Sequence, residues 1–239
     1  MKTGILAPGI TPDALLDQYG SYADMCRHLL LVSGMDSEFR IYDVFENQLP
    51  EGVDECDAWL ITGSKFSAYD DLPWIAPLKQ LIRDIVAAGK PLAGICFGHQ
   101  IMAEALGGRV QKSSNGWGTG IHEYNLSPLA VEEMGIRSLH LNAVHQDQVV
   151  EKPAAAEVLA SSPFCPYAAL RYGERVLSFQ AHPEFSMAFE NDLLSLKLDD
   201  EALPKEVALA GLATLQQEGA HTDSEAVGRW IAKVLTVRE

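Results

Sequence analysis

The sequence predicts an α/β fold, a doubly wound and mostly parallel sheet flanked by helices, with a helical C-terminal end. Three observations carry this expectation. Short apolar runs alternate with stretches of helical spacing through the earlier part of the chain, the signature of a sheet covered by helices. Two of those runs, 58–61 and 91–95, are almost continuously apolar, as in strands buried on both faces. Beyond Pro183 every periodic segment has helical spacing.

Taken in order, residues 4–7 form a first short strand. Thr11 and Pro12 start a helix, and a second helical pattern over 22–32 ends at Ser33-Gly34. The stretch 39–45 reads as a strand, and 58–61 as a buried strand meeting the tight turn Thr62-Gly63-Ser64. Helical spacing returns over 74–88, closed by Gly89. The buried strand 91–95 is followed at once by a helix over 98–106, with Gly107-Gly108 as its C-terminal cap. From there the pattern changes to short strands at 109–111, 121–126, 138–141, 157–160, 168–171 and 176–181. The glycine-rich stretch 115–120 reads as a hairpin or loop, because the helix that a phosphate cradle requires does not follow it. Helices are predicted over 185–196, 205–217 and 224–237. No repeat or linker divides the chain. It reads as a single domain over 1–239, with a catalytic core at about 40–190 and a helical extension at about 185–239.

A chain of 239 residues can bury roughly 70% of its unfolded surface, so it needs no disulfide or metal staple. The four cysteines, Cys26, Cys56, Cys96 and Cys165, lie far apart, without zinc-ribbon or disulfide-framework spacing. The net charge of −15 repels phosphate backbones and anionic lipid, which argues against nucleic acid and membrane partners. Pro8, Gly9 and Pro12 break the first apolar stretch, so no export signal forms, and a cytoplasmic protein is expected.

The strongest local signal is Gly94-Ile95-Cys96-Phe97-Gly98-His99-Gln100. A buried strand runs into Cys96 and a helix begins within two residues of it. That is a nucleophile elbow, a sharp turn that projects one side chain above the sheet edge. Glycines two before and two after fit a turn too crowded for a Cβ. The helix N-terminus favours the thiolate. A second signal is His182-Pro183-Glu184, placed at the end of the apolar strand 176–181, where α/β folds carry their site residues. Glu184 is near enough to orient the imidazole and stabilise its protonated form, which repeats the nucleophile, base and orienter of a catalytic triad. The backbone N–H groups of Phe97 and Gly63 are candidate donors for an oxyanion. His99 lines the start of the helix after Cys96, while His28, His122, His140 and His221 read as surface or structural residues. Trp59, Trp74, Trp117 and Trp230 read as core or interface.

Together these blocks resemble the class I glutamine amidotransferase family, particularly stand-alone members similar to the amidotransferase part of GMP synthase. The resemblance is carried by Ile61-Thr62-Gly63-Ser64, by residues 91–100, by Val144-His145-Gln146-Asp147-Gln148-Val149 and by Gln180-Ala181-His182-Pro183-Glu184-Phe185. It implies a flavodoxin-like fold, with Cys96 as nucleophile, His182 as base and acid, and Glu184 as orienter. It further implies an oxyanion hole from Gly63 and Phe97, and glutamine held by Gln100 and by backbone near His145, Gln146 and Asp147. The implied reaction needs no cofactor and no metal. It takes a small-molecule substrate, glutamine or a γ-glutamyl compound, and passes ammonia to an acceptor on a separate synthetase, since no phosphate loop or ATP-cleaving domain is found within the sequence. The loop after Gly63 lacks the Gly-Gly-Pro run common in synthase-linked members.

Three other readings compete. A γ-glutamyl peptidase would use the same triad on a different leaving group. A non-catalytic regulatory subunit would keep only the fold. A metal site could draw on His145, Asp147, His182 and Glu184, a ligand set that the sequence disfavours.

Overall fold

The computed structural model describes residues 1–237. The chain begins with β1 (Lys2–Leu6), α1 (Asp13–Tyr19), α2 (Tyr22–Val32), β2 (Glu38–Tyr42), β3 (Ala58–Ile61), α3 (Ile75–Ala87), β4 (Leu92–Ile95) and α4 (Phe97–Ala105). It continues with β5 (Arg109–Lys112), β6 (Gly118–Leu126), α5 (Pro128–Met134), β7 (Ser138–His145), β8 (Asp147–Glu151), β9 (Glu157–Ser161), β10 (Ala169–Arg171) and β11 (Val176–Phe179). It closes with α6 (Met187–Leu196), α7 (Lys205–Leu215) and α8 (Ser224–Thr236).

Nine strands form one sheet in the order β2-β1-β3-β4-β11-β10-β9-β6-β7. From β2 to β11 all neighbours are parallel, and from β11 to β7 all are antiparallel. The sheet is therefore mixed, and the doubly wound class is realised on its parallel half. There, alternation along each strand sends successive side chains to opposite faces. Ile5, Leu60, Ala93 and Ile95 meet Cys26 and Leu30 of α2 and Val227 and Ile231 of α8. Leu6, Trp59, Ile61 and Leu92 meet Leu78 and Ile82 of α3 and Ile101 and Met102 of α4 on the other side. All four cysteines are free and buried. No helix among the described residues is long and apolar enough to cross a membrane.

The main elements fall where the pattern puts them, with instructive exceptions. The glycine-rich stretch, which reads as a hairpin or loop, is partly strand, because β6 already begins at Gly118. Gly120 there has φ +73, and a Cβ on it would meet the Gly211 carbonyl oxygen at 2.4 Å and Thr214 Oγ1 at 2.3 Å. The glycines let α7 lie against the strand. Helix α5 interrupts the run of short strands that the pattern predicts here: Ser127 caps its N-terminus, Pro128 opens it and Gly135 ends it in the left-handed conformation. Strand β8 likewise lies outside the predicted strands. It forms a separate two-stranded ladder with β5. The C-terminal helices serve two places: α7 covers β6, while α8 returns to pack on α2 and the parallel half.

Candidate active site

Cys96 stands at the junction of β4 and α4 with φ +52 and ψ −102, one of two non-glycine residues with positive φ among those described. Such a backbone is held only where surrounding structure over-determines it. The surroundings here are tight. A Cβ at Gly94 would lie 2.7 Å from the Gly98 carbonyl carbon, and one at Gly98 would lie 2.4 Å from the Ile61 carbonyl oxygen. The two glycines that bracket the cysteine thus allow β3, β4 and α4 to close together. The Cys96 N–H donates to the Phe179 carbonyl at 2.8 Å, and its carbonyl accepts the first bond of α4 from Gln100 N at 3.0 Å. The Phe97 N–H is left at the open first turn of that helix. The Phe97 side chain points away, into the core around Trp74.

Because β11 runs parallel to β4, the chain leaving it arrives beside Cys96. His182 follows at once. Its N–H donates to the Asn142 carbonyl at 2.8 Å, and Asn142 Nδ2 donates to the Phe185 carbonyl at 2.9 Å, so the loop is pinned to β7. His182 Nδ1 lies 2.8 Å from Glu184 Oε1. Phe185 stacks on the imidazole, with ring centroids 4.0 Å apart and planes 6° apart. Burial alone pulls this imidazole's pKa down. The facing Glu184 carboxylate and Cys96 sulfur outweigh burial and hold it well above the ordinary histidine value. The imidazole therefore keeps its proton beside the Cys96 sulfur.

Gly63 sits opposite the pair. A Cβ there would lie 2.9 Å from His182 Cε1 and 3.7 Å from the Cys96 Cβ. The structure thus brings Cys96, His182, Glu184, Gly63 and the Phe97 backbone to one place. Gln100, His145, Gln146 and Asp147 line the adjoining cleft of about 490 Å³ together with Cys96 and His182. Gln100 Nε2 donates to the Asp147 carbonyl at 2.8 Å and Gln180 Oε1 at 3.3 Å. Its amide nitrogen thus ties α4 to β8 and β11. Asp147 takes hydrogen bonds from Ser67 Oγ at 2.6 Å and Tyr69 Oη at 3.0 Å, fastening the loop that follows Gly63. His145 is buried, which pushes its pKa down to about 3. His99, equally buried and held to about 3, lies 2.8 Å from Ser178 Oγ. It is a neutral packing residue beneath the elbow. Among the described residues, His145, Asp147, His182 and Glu184 do not converge as a metal-ligand group.

Sequence reasoning passed over several neighbours of the site. Gln180 Nε2 stands 3.8 Å from Cys96 Sγ. Tyr22 lines the cleft from α2, and burial first, then Glu184 and Cys96, raise its hydroxyl pKa. Glu190 of α6 is fully buried; one oxygen accepts from Gly120 N at 3.1 Å and the other has no partner among the described residues. Burial pushes its pKa up to about 8, against the pull of His182. Gln180 stands in the sequence block that ends in His182-Pro183-Glu184, but nothing in that block gives it a role of its own. Tyr22 and Glu190 come from helices whose docking no local pattern specifies.

The sequence matches the family described as "Glutamine amidotransferase class-I" over residues 14–199. It is 33% identical over 191 residues to a glutamine amidotransferase-like protein of Schizosaccharomyces pombe, covering 74% of this chain and 77% of that protein. It is 28% identical over 207 residues to gamma-glutamyl peptidase 5 of Arabidopsis thaliana, covering 83% and 81%. The fold superposes on that of a glutamine amido transferase from Methylobacillus flagellatus with a TM-score of 0.71 at 24% identity, over 98% of this chain and 92% of the other.

Proposed function

As this chain belongs to the class I glutamine amidotransferase family, we propose that it hydrolyses the side-chain amide of glutamine, releasing ammonia and glutamate. The observation that carries this reading is the His182–Glu184 contact of 2.8 Å beside Cys96, with the imidazole held well above its ordinary pKa. In the proposed course, the Cys96 thiolate attacks the amide carbon, and the oxyanion is met by the N–H groups of Phe97 and Gly63. Collapse expels ammonia as the His182 imidazolium gives it a proton, which leaves a γ-glutamyl thioester. His182, now neutral, takes a proton from water; the hydroxide displaces the thiolate, and glutamate departs. Glu184 holds the imidazole plane throughout. Gln100, His145, Gln146 and Asp147 shape the end of the cleft that receives the glutamyl group.

A second reading, cleavage of γ-glutamyl peptides, is favoured by one observation. The cleft continues from Cys96 past Trp117 to Lys197 and Ala202, and its volume of about 490 Å³ lies in the range that takes ligands larger than one amino acid. The Arabidopsis relative carries that activity in its name. Under the first reading, ammonia passes to an acceptor on a separate synthetase. The two readings differ only in the leaving group. Ammonia release from glutamine, measured against cleavage of γ-glutamyl dipeptides, separates them. Strong peptide cleavage with negligible glutaminase activity defeats the first reading. Cys96→Ala is expected to lower turnover of the true substrate by about 10⁴-fold or more while the chain stays folded. Unchanged turnover in that variant excludes Cys96 as the nucleophile, and no turnover of either amide by the wild type favours the non-catalytic reading.

A further inference from the structure

We propose that His140, His221 and Asp223 form a surface site for a divalent transition-metal ion, separate from the amide-cleaving centre, and that the ligand set fits Zn²⁺. The three side chains each offer one ligand atom, and these atoms all lie within 4.8 Å of one another. They come from two places far apart in sequence: His140 from the edge strand β7, the other two from the turn that leads into α8. Backbone bonds fix that meeting. The Asp223 N–H donates to the His140 carbonyl at 2.8 Å, and the His140 N–H donates to Asp223 Oδ2 at 2.7 Å.

The side-chain geometry suits an ion better than a direct bond. His140 Nδ1 stands 3.5 Å from Asp223 Oδ2, long for a hydrogen bond. Two donors each ~2.1 Å from a tetrahedral ion lie about 3.4 Å apart. His221 Nδ1 lies 3.0 Å from the Gly219 carbonyl, which fixes that nitrogen as the N–H donor and leaves Nε2 as the ligand lone pair. A carbonyl that selects the tautomer in this way is the usual support of a metal-bound histidine. The two imidazole rings lie side by side with centroids 4.8 Å apart and planes tilted by 45°. The ring of His221 is exposed and the other two side chains are only part-covered, so a small closing movement meets little resistance. Two imidazoles and one carboxylate supply three ligands, and water completes the tetrahedron. Bound there, the ion would clip the turn before α8 to the edge of the sheet.

Cys96 and His182 would themselves take zinc, so the test uses metal-stripped Cys96→Ala chain titrated with Zn²⁺ by calorimetry. One zinc per chain is expected, with Co²⁺ in its place giving the visible bands of a tetrahedral site. Adding His221→Ala, which removes only an exposed ring, is expected to weaken binding by about tenfold or more. Asp223→Asn, which keeps an acceptor for the His140 N–H, is expected to weaken it likewise. No heat of binding and no retained zinc in Cys96→Ala, or equal affinity in its His221→Ala derivative, overturns the proposal.

Discussion

Phe185 lies flat on the imidazole of His182, with the ring planes 6° apart and the centroids separated by 4.0 Å. The stack joins a chain of aromatic contacts, since Phe185 also meets Phe189 at 4.4 Å and Tyr22 at 5.6 Å. With Glu184 on Nδ1, it leaves the imidazole no freedom to rotate away from the sulfur. Phe185→Leu keeps an apolar side chain and removes the flat face. Its kcat is expected to fall about tenfold to a hundredfold, the scale of a small misplacement of a reacting group, with KM nearly unchanged. Steady-state kinetics on the active amide measures both.

The pH dependence of turnover follows from the pair behind that stack. The proposed course needs His182 protonated for the leaving amine, and the folded pKa of that imidazole is raised by Glu184 and Cys96 against the effect of burial. Activity is therefore expected to persist well above the ordinary histidine range and to fall only as pH rises through the raised value. Removing the carboxylate charge with Glu184→Gln takes away one of the two raising influences. The alkaline limb of kcat/KM is expected to move to lower pH, with a lower plateau. An unmoved limb would show that Glu184 does not tune the imidazole.

Glu190 offers a pH effect on stability, with the sign set by its raised pKa of about 8, which burial causes. In the unfolded chain the group loses its proton near the ordinary glutamate value of 4.5, while in the fold it keeps the proton up to about 8. Between those values the folded state binds more protons than the unfolded one, so this group's contribution to stability falls as pH rises and then levels off. Glu190→Gln is neutral throughout and can still accept from Gly120 N. It is expected to melt higher than the wild type at pH 8, with the difference shrinking toward pH 5. Thermal melts across that range decide it.

Gly63 tests the crowding on the open side of the base. A Cβ there stands 2.9 Å from His182 Cε1, an atom of a ring that Phe185 and Glu184 hold in place. Gly63→Ala is expected to displace the imidazole by a few tenths of an ångström and to lower kcat/KM by about a hundredfold. The unfolding midpoint should change little, because the loop is tied down separately through Asp147 to Ser67 and Tyr69.

What the sequence made legible was local. The buried strands β3 and β4, the cysteine between two glycines and the His-Pro-Glu run all carry their geometry within a few residues. The antiparallel half was harder to read. Gly118 and Gly120 look like loop residues in sequence, yet they are strand residues whose missing side chains admit Phe164 and α7. Helix α5 had its cap, its proline and its closing glycine in plain view, but its seven residues are short beside the strand signals around it. The parts of the site supplied by Tyr22 and Glu190 depend on how α2 and α6 dock, and helical spacing alone does not say which neighbour a helix will meet. His140 and His221 had no pattern in common until β7 and the turn before α8 came together.

The backbone bond from His182 to Asn142 has a consequence for the fate of the sheet. β7 is the last strand of its sheet, where unpaired amide and carbonyl groups invite another chain to add itself. Here part of that border is closed by the segment that carries the base, and part by Asp223 against His140. Peeling the border open withdraws the imidazole from the sulfur and uncovers a sticky strand in the same motion. Inactivation on heating and the onset of intermolecular strand pairing are therefore expected to set in together, and residual activity followed beside light scattering in a warmed sample checks it.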